Sequence, residues 1–252
     1  MGVYKMTDTG KREVSLEELI STRERSSLPT IVVEGKYDII IYRKIEELLE
    51  DIVDVLPAGG RGKVLGIFDS IKTNPKLQAK KLIFIADKDT WVNTGIPSKY
   101  QQDILIFTNG YSIENDVFID YGCEQILEIE DSSIKNQFLA DKEKFIHWYA
   151  LALQATLNGE NLTKEREIAR DPNEVLGNEY SKFIALTANE IYPTELQSNL
   201  KENYPLQIRG KSLLNLFRKH LKHHSSKAMF QKVAIEPKTS INRIFDDVKK
   251  QF

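Results

Sequence analysis

Short apolar runs and helical periodicities alternate over the first half of the chain. The runs "LPTIVVEG", "DIVDVL", "KKLIFIAD" and "DILIFTNG" are too short for helices and rich in branched residues, so each predicts a strand. Between the first two runs, Ile41, Ile45 and Leu48 recur at helical spacing. Strands that alternate with helices form parallel sheets through right-handed crossovers. The pattern over residues 28–120 therefore predicts an α/β fold, with a mainly parallel sheet flanked by helices.

The second half of the chain has helical periodicity only. It is clearest in residues 142–157, 179–192 and 211–224, and the polar stretch between the first two of these predicts a loop. Near the start, "SLEE" fits a capping box and predicts a short helix. The sequence thus predicts an N-terminal extension with a short helix (1–27), an α/β domain (28–122) and a mostly helical region (123–252).

Composition narrows the class of protein. The chain has 252 residues, 41% of them hydrophobic, and a single cysteine, Cys123, which excludes a disulfide framework. No apolar run approaches the roughly 18 residues that a membrane-spanning helix needs. The N-terminus lacks the apolar stretch of an export signal. These features predict a cytoplasmic protein that does not enter a membrane.

The net charge of −2 hides a concentration of positive charge in residues 207–232. This basic segment has no Asp or Glu, which predicts a surface for a polyanion such as nucleic acid. Its cations are Arg209, Lys211, Arg218, Lys219, Lys222, Lys227 and Lys232. His220, His223 and His224 share roughly one helical face and are an alternative zinc site. Because the sequence suggests no Cys or carboxylate beside them, the polyanion surface is the simpler interpretation.

Carboxylates follow three of the four predicted strands. Glu34 follows the first strand, Asp87 and Asp89 follow the third, and Glu114 lies a little beyond the fourth. Ligands of open parallel sheets bind outside the carboxyl ends of the strands, where these acids fall. Oxygen ligands suit hard divalent cations such as Mg²⁺ or Mn²⁺. The sequence therefore predicts a metal site with Glu34, Asp87 and Asp89 as ligands.

The same residues resemble the Toprim domain, the catalytic core of topoisomerases, bacterial primases and several nucleases. The likeness lies in the Glu-Gly pair of "VVEGKYD" and the Asp-x-Asp of "IFIADKD". It extends to "PAGGRGKV", "TNGYSIENDVF" and "IRGKSLL", and this longer pattern is similar to stand-alone Toprim-like nucleases. These include the overcoming-lysogenization type and the nuclease effectors of the PARIS anti-phage defence system. The likeness covers most of residues 28–125 and is thinner in the helical half.

The resemblance implies a metal-dependent endonuclease that hydrolyses phosphodiester bonds. Glu34, Asp87, Asp89 and Glu114 would be its catalytic residues. By the same likeness we expect RNA, in particular tRNA, as the substrate, an ABC-type ATPase as the controlling partner, and a homodimer as the active form. The residues expected to contact nucleic acid are Lys36, Arg61, Lys63, Arg209, Lys211, Arg218, Lys219 and Lys222.

Several roles stay open at this point. Glu34 can act as a metal ligand or as a general base, and Glu114 also fits the first turn of a helix. Asp38 can serve catalysis or meet a helix dipole, and Lys36 can bind phosphate or simply begin a helix. Two other functions also stay open, a catalytically inactive Toprim-like sensor or scaffold and a DNA-directed nuclease. A topoisomerase or primase needs further domains for which 252 residues leave no room.

Overall fold

The computed structural model describes residues 14–35, 38–50, 52–160, 162–187 and 190–252. Within these residues the chain forms one sheet, in which all neighbouring strands are parallel. The strands are β1 (Thr30–Val33), β2 (Asp54–Pro57), β3 (Leu82–Ala86) and β4 (Leu105–Phe107). Their order across the sheet is β2-β1-β3-β4. The predicted parallel sheet is thereby confirmed.

Helices make up most of the remaining described chain, and they dominate its second half as predicted. Short 3₁₀ turns lie at Ser98–Tyr100 and Lys164–Arg166. The first helices are α1 (Leu16–Arg25), α2 (Ile39–Leu48), α3 (Arg61–Ile71), α4 (Pro75–Gln78) and α5 (Trp91–Thr94). The next are α6 (Ile113–Tyr121), α7 (Cys123–Ile129), α8 (Ser132–Leu157), α9 (Pro172–Val175) and α10 (Tyr180–Ile184). The last are α11 (Thr194–Glu202), α12 (Tyr204–Gln207), α13 (Gly210–His220), α14 (Ser226–Ile235) and α15 (Thr239–Lys249).

The chain divides into two compact units. The sheet unit comprises the described residues up to Asp87, with Pro97–Thr108 and Asn242–Phe252. The helical unit comprises Lys88–Ile96 and Asn109–Ile241. In the sheet unit α2 packs on β2, α3 packs on β3, and α1 packs on α3. The boundary falls inside "DKD", so that Asp87 belongs to the sheet unit and Asp89 to the helical unit.

The strand order contains one reversal of direction. From β1 the chain runs to β2 on one side, and it then returns past β1 to form β3 and β4 on the other side. In parallel α/β sheets such a reversal opens a crevice at the carboxyl ends of the two central strands. The central strands here are β1 and β3, which pair directly through Thr30–Leu82 and Val32–Phe84. Residues that follow β1 and β3 are therefore well placed to meet a ligand.

Capping explains where two helices begin. The predicted capping box of α1 is confirmed, because the Ser15 and Glu18 side chains each accept the other residue's backbone N–H. Helix α8 begins at Ser132, well before the predicted start at Lys142, because the Asp131 side chain accepts the Ser133 N–H at 2.7 Å. No helix in the described ranges is long and apolar enough to cross a membrane.

Helix α10 ends at Ile184, so the helical prediction for residues 179–192 is wrong for 185–187 and 190–192, while 188 and 189 lie outside the described residues. The cause is a buried side chain from elsewhere in the helical unit. The Arg166 guanidinium donates to the carbonyls of Phe183 and Ala185, at 2.6 and 2.8 Å, and it also pairs with Glu190. These hydrogen bonds occupy the carbonyls of Phe183 and Ala185, which would accept backbone N–H groups if the helix continued.

A buried carboxylate caps the first turn of α15. Asp120, on α6, is 3% exposed and accepts the N–H groups of Lys238, Ser240 and Ile241 at 2.9–3.0 Å. A carboxylate that accepts several backbone N–H groups is strongly stabilised where water is excluded. Asp120 therefore fixes the start of the last helix.

We expect Asp120→Ala to lower the free energy of unfolding by about 3 kcal/mol, because it leaves buried N–H groups without an acceptor. Denaturant unfolding measures this. The control is Asp131→Ala, which removes an exposed helix cap and should cost only about 1 kcal/mol. Equal losses for the two variants would contradict the special role of Asp120.

Candidate active site

Two acidic residues follow the central strands at their carboxyl ends. Glu34 follows β1 and Asp87 follows β3, and both side chains are half-buried. The Glu34 Oε1 atom accepts the backbone N–H of Asp87 at 2.8 Å. The hydrogen bond ties the Glu34 carboxylate to the end of the neighbouring strand. Glu34 thus interrupts an apolar run because the chain leaves the core at this residue.

The glycine-rich turn before α3 is attached to the backbone of Glu34. The N–H groups of Gly59 and Gly60 donate to the Glu34 carbonyl at 2.8 and 2.9 Å. Both glycines have positive φ, 87° and 124°, which disfavours any residue with a side chain. Helix α3 begins directly after this turn, at Arg61. The first turn of α3 therefore starts beside the strand end that carries Glu34.

Arg61 and Lys63, both predicted to contact nucleic acid, lie in this first turn. Both are half-buried, and the Lys63 Nζ donates to the carbonyl of Val14 at 2.7 Å. A helix N-terminus and two cations favour an anion such as phosphate at this position. The sheet unit thus supplies positive charge from the first turn of α3, which follows the turn bound to Glu34.

Asp38 turns back toward Glu34 instead of capping its own helix. Its Oδ2 atom accepts the Gly35 N–H at 2.7 Å, and its side chain makes no capping hydrogen bond to α2. Asp38 therefore stabilises the turn that carries Glu34. Lys36, predicted to bind phosphate, lies outside the described residues, as does Tyr37.

In the helical unit, Asp89 has a left-handed backbone conformation with φ 49°. This conformation costs a residue other than glycine roughly 1–2 kcal/mol. Two hydrogen bonds hold the turn: the Asp89 N–H donates to the Tyr111 carbonyl at 2.7 Å, and the Lys88 Nζ donates to the Asn109 carbonyl at 2.9 Å. Strain of this kind is often found at functional sites. That Asp89 shares a cation with Glu34 and Asp87 stays a prediction.

Glu114 lies in the first turn of α6, one of the two alternatives that the sequence left open. Its Oε2 atom accepts the Ser112 hydroxyl at 2.6 Å, and Ser112 with Asn115 forms a capping box. Acidic residues are favourable in the first turn of a helix. A helix-start role therefore accounts for Glu114, and a catalytic role stays a prediction.

The motifs "SIEN" and "IRGK" are neighbours within the helical unit, although far apart in sequence. The Asn115 side chain donates to the carbonyls of Pro205 and Ile208 at 2.7 and 2.9 Å. A Cβ atom added to Gly210 would lie 2.6 Å from the Asn115 Oδ1 and 2.8 Å from the Glu114 Cβ. Only glycine fits such an approach. The start of α13, with its cations, thus contacts the start of α6.

Tyr149 is a site neighbour that the sequence analysis missed. Its hydroxyl accepts the Arg209 N–H at 2.9 Å. Complete burial, then Tyr111, raises the pKa of Tyr149, while the nearby Arg209 lowers it and Asp89 raises it. The hydroxyl is therefore neutral, and Asp89 and Arg209 both act on it. A signal in the sequence was its position among the apolar residues of α8, which predicts burial but gives no partner.

The basic segment is only partly available to a ligand. Lys219 and His220 both bond to Asp141, with Nζ and Nε2 at 2.6 and 3.0 Å from its Oδ2. Arg218 donates to the His224 carbonyl and to the Ser226 hydroxyl. The cations with exposed side chains are Lys211, Lys222, Lys227 and Lys232. Lys232 also pairs with Glu236 at 3.4 Å.

The histidine prediction is wrong in two respects. Helix α13 ends at His220, so His223 and His224 do not share its face, and a carboxylate, Asp141, does lie beside His220. In the part of the chain that the structure describes, no group of three or more His, Cys, Asp or Glu side chains is arranged to hold a metal. Magnesium needs fewer protein ligands, since one or two carboxylates and a substrate phosphate suffice. The oxygen donors Glu34 and Asp87 fit that chemistry.

Comparison with protein-family models finds no match for the chain, and comparison with curated proteins finds none either. The likeness to Toprim domains therefore depends on the short motifs of the sequence. The positions of two of them, directly after the parallel strands β1 and β3, are compatible with it.

The turn that binds the Glu34 carbonyl allows a matched pair of substitutions. Gly60→Ala should lower the free energy of unfolding by about 1–3 kcal/mol, because only glycine tolerates its backbone angles. Gly62→Ala, two residues later in helical conformation and also with open space around it, should raise stability by about 0.5–1 kcal/mol. Denaturant unfolding distinguishes the two. If Gly60→Ala leaves the free energy of unfolding unchanged, the backbone of the turn can take up another conformation and the prediction is wrong.

Proposed function

We propose that the chain is a metal-dependent endonuclease that hydrolyses phosphodiester bonds. The observation that carries the proposal is the pair Glu34 and Asp87, joined by a hydrogen bond at the ends of the two central strands. Here the strand order reverses, which is where parallel α/β sheets bind ligands. Carboxylate oxygens at such a crevice are the ligands that Mg²⁺ takes in proteins. Their position therefore supports a catalytic site over a purely structural one.

Glu34 and Asp87 would hold Mg²⁺ or Mn²⁺, with Asp89, two residues along the chain, as a third ligand. The bound cation would polarise the phosphoryl group and make water a better nucleophile. Glu34 would orient the site through its bond to the Asp87 N–H, and as an alternative would accept the proton of water. Arg61 and Lys63 would bind phosphates from the start of α3. Arg209 and Lys211 would do so from the start of α13.

The biological setting belongs to the same proposal and depends on the resemblance of the motifs. The substrate would be RNA such as tRNA, cleaved in the cytoplasm as part of anti-phage defence. An ABC-type ATPase would hold the nuclease inactive until infection, and release would yield an active homodimer. Expression of the chain alone and together with a candidate ABC-type ATPase tests this: growth arrest should appear only when the nuclease is free of the ATPase. Duplex DNA is the alternative substrate, and parallel assays on both nucleic acids decide between them.

A second candidate function is a catalytically inactive sensor or scaffold. It is favoured by the lack, among the described residues, of a three-ligand metal group. Incubating the purified chain with RNA and DNA in Mg²⁺, and again with EDTA, distinguishes the two. Cleavage that EDTA abolishes supports the nuclease, whereas no cleavage of either nucleic acid by released protein supports the scaffold.

We expect Glu34→Gln to lower the cleavage rate by at least about 100-fold, since it removes a charge that acts in the transition state. The free energy of unfolding should change by less than about 1 kcal/mol, because the amide oxygen still accepts the Asp87 N–H. Rates under single-turnover conditions, with denaturant unfolding in parallel, measure both effects.

Glu46→Gln is the matched control for this prediction. The Glu46 Oε1 atom also accepts a strand N–H, that of Val55 at 2.9 Å, but from a helix and near the start of β2. Its replacement should leave cleavage unchanged. If Glu34→Gln cleaves at the normal rate, or if both variants lose activity equally, the assignment of Glu34 is wrong.

The exposed cations give a separate prediction. Lys211→Glu with Lys222→Glu should weaken nucleic-acid binding and flatten its dependence on salt, because phosphate contacts release counterions. Their melting temperature should stay near that of the wild type. Lys219→Glu is the contrast: it places two carboxylates together at Asp141, so it should lower the melting temperature. If the variant with Lys211→Glu and Lys222→Glu binds with unchanged affinity and salt dependence, these two lysines do not contact nucleic acid.

A further inference from the structure

We propose that Asn115 is a positioning residue: it holds residues 205–211 in the geometry in which Arg209 and Lys211 bind the nucleic-acid backbone. The inference rests on the proposed function, since it concerns how that site binds its substrate. It adds a residue that has no side-chain atom free to touch the substrate, and a mechanism by which α6 controls the cations at the start of α13.

The first observation is the set of hydrogen bonds that holds a buried amide. Asn115 is 0% exposed. Its Nδ2 group donates to the carbonyls of Pro205 and Ile208, and its Oδ1 atom accepts the N–H of Ser112 at 2.9 Å. An amide side chain has two donor hydrogens, and both are used here, while its oxygen accepts a backbone N–H. Asn115 therefore joins the start of α6 to the segment before α13 with a fixed orientation.

The second observation is the close packing directly after that segment. Gly210 lies so near Ser112, Glu114 and Asn115 that a Cβ atom has no space. Because packed interiors transmit small displacements, a shift of Asn115 must move the backbone at Gly210. Arg209 and Lys211 flank this glycine in sequence, so their side chains leave the chain on either side of the contact.

The third observation is a second attachment of the same segment. The Tyr149 hydroxyl accepts the Arg209 N–H at 2.9 Å, and Tyr149 is fully buried in α8. The Asn115 amide thus fixes Ile208 and the Tyr149 hydroxyl fixes Arg209. The close packing against α6 fixes Gly210. Arg209 is half-buried and Lys211 is exposed. A rigid backbone that presents mobile cations reduces the entropy lost when they bind phosphate.

The experiment measures binding without cleavage. A fluorescently labelled single-stranded RNA is titrated in EDTA at several salt concentrations, and anisotropy gives Kd. Asn115→Asp keeps the size and the acceptor for Ser112 but removes both donations to the carbonyls. We expect roughly ten-fold weaker binding and a salt slope that falls by up to about 1.4, the value for two phosphate contacts of a single strand.

The decisive comparison is a double-mutant cycle. In a background of Arg209→Gln with Lys211→Gln, Asn115→Asp should change Kd less than two-fold, because its effect acts through those cations. A general loss of structure would instead weaken binding by the same factor in both backgrounds, and that result overturns the proposal. If Asn115→Asp fails to fold, Tyr149→Phe takes its place, with an expected loss of roughly three-fold that likewise vanishes in the double-glutamine background.

Asp120→Asn is the stability control, because it weakens another buried side chain of the same helix, whose hydrogen bonds go to the start of α15. It should lower the melting temperature but leave Kd unchanged. If the wild type binds RNA and the double-glutamine variant binds equally well, the positioning proposal fails while the nuclease proposal stands. If the wild type neither binds nor cleaves any nucleic acid, both fail.

Discussion

The pairing of β1 with β3 is the constraint on which the candidate site depends. Neighbouring parallel strands end at the same edge of a sheet, so whatever follows them is brought together. Here those residues are Glu34 and Asp87, and the hydrogen bond between them fixes one carboxylate against the other strand. The turn after β2 is drawn to the same place, because its glycine N–H groups bind the Glu34 carbonyl. The pairing of β1 with β3 thus determines where Glu34, Asp87, the glycine-rich turn and the start of α3 lie.

Helix α6 has a comparable role in the helical unit. It carries three buried polar side chains, each of which binds the backbone of a different segment. Asn115 binds the chain before α13, Asp116 accepts the N–H groups of Asn109 and Gly110, and Asp120 binds the chain at the start of α15. Buried polar groups of this kind specify geometry, because any other arrangement leaves them unsatisfied. Helix α6 therefore holds three segments of the chain through hydrogen bonds, in addition to its apolar packing.

The sequence predicts the sheet well because each strand is a short apolar run, and strand ends follow from where such runs stop. It also predicts that Glu34 and Asp87 reach one edge, because parallel strands leave no other arrangement. It fails where side chains from distant segments replace local hydrogen bonds. Arg166 ends α10 by binding its carbonyls, and Asp141 binds Lys219 and His220 from another helix. No local pattern reveals such partners, and Asn115 and Tyr149 escaped notice for the same reason.

The bonds of α6 also have a consequence for the order in which the chain is made. Asn115 finds its partners 90 and 93 residues later in the sequence, and Asp120 finds its partners 118–121 residues later. A ribosome that adds roughly 5–20 residues per second leaves Asp120 without them for about 6–24 seconds. During that interval a helix with polar groups meant for burial is exposed to other chains. The nascent protein therefore completes its Arg209 segment late, and a chain that ends before residue 238 lacks the last anchor of α6.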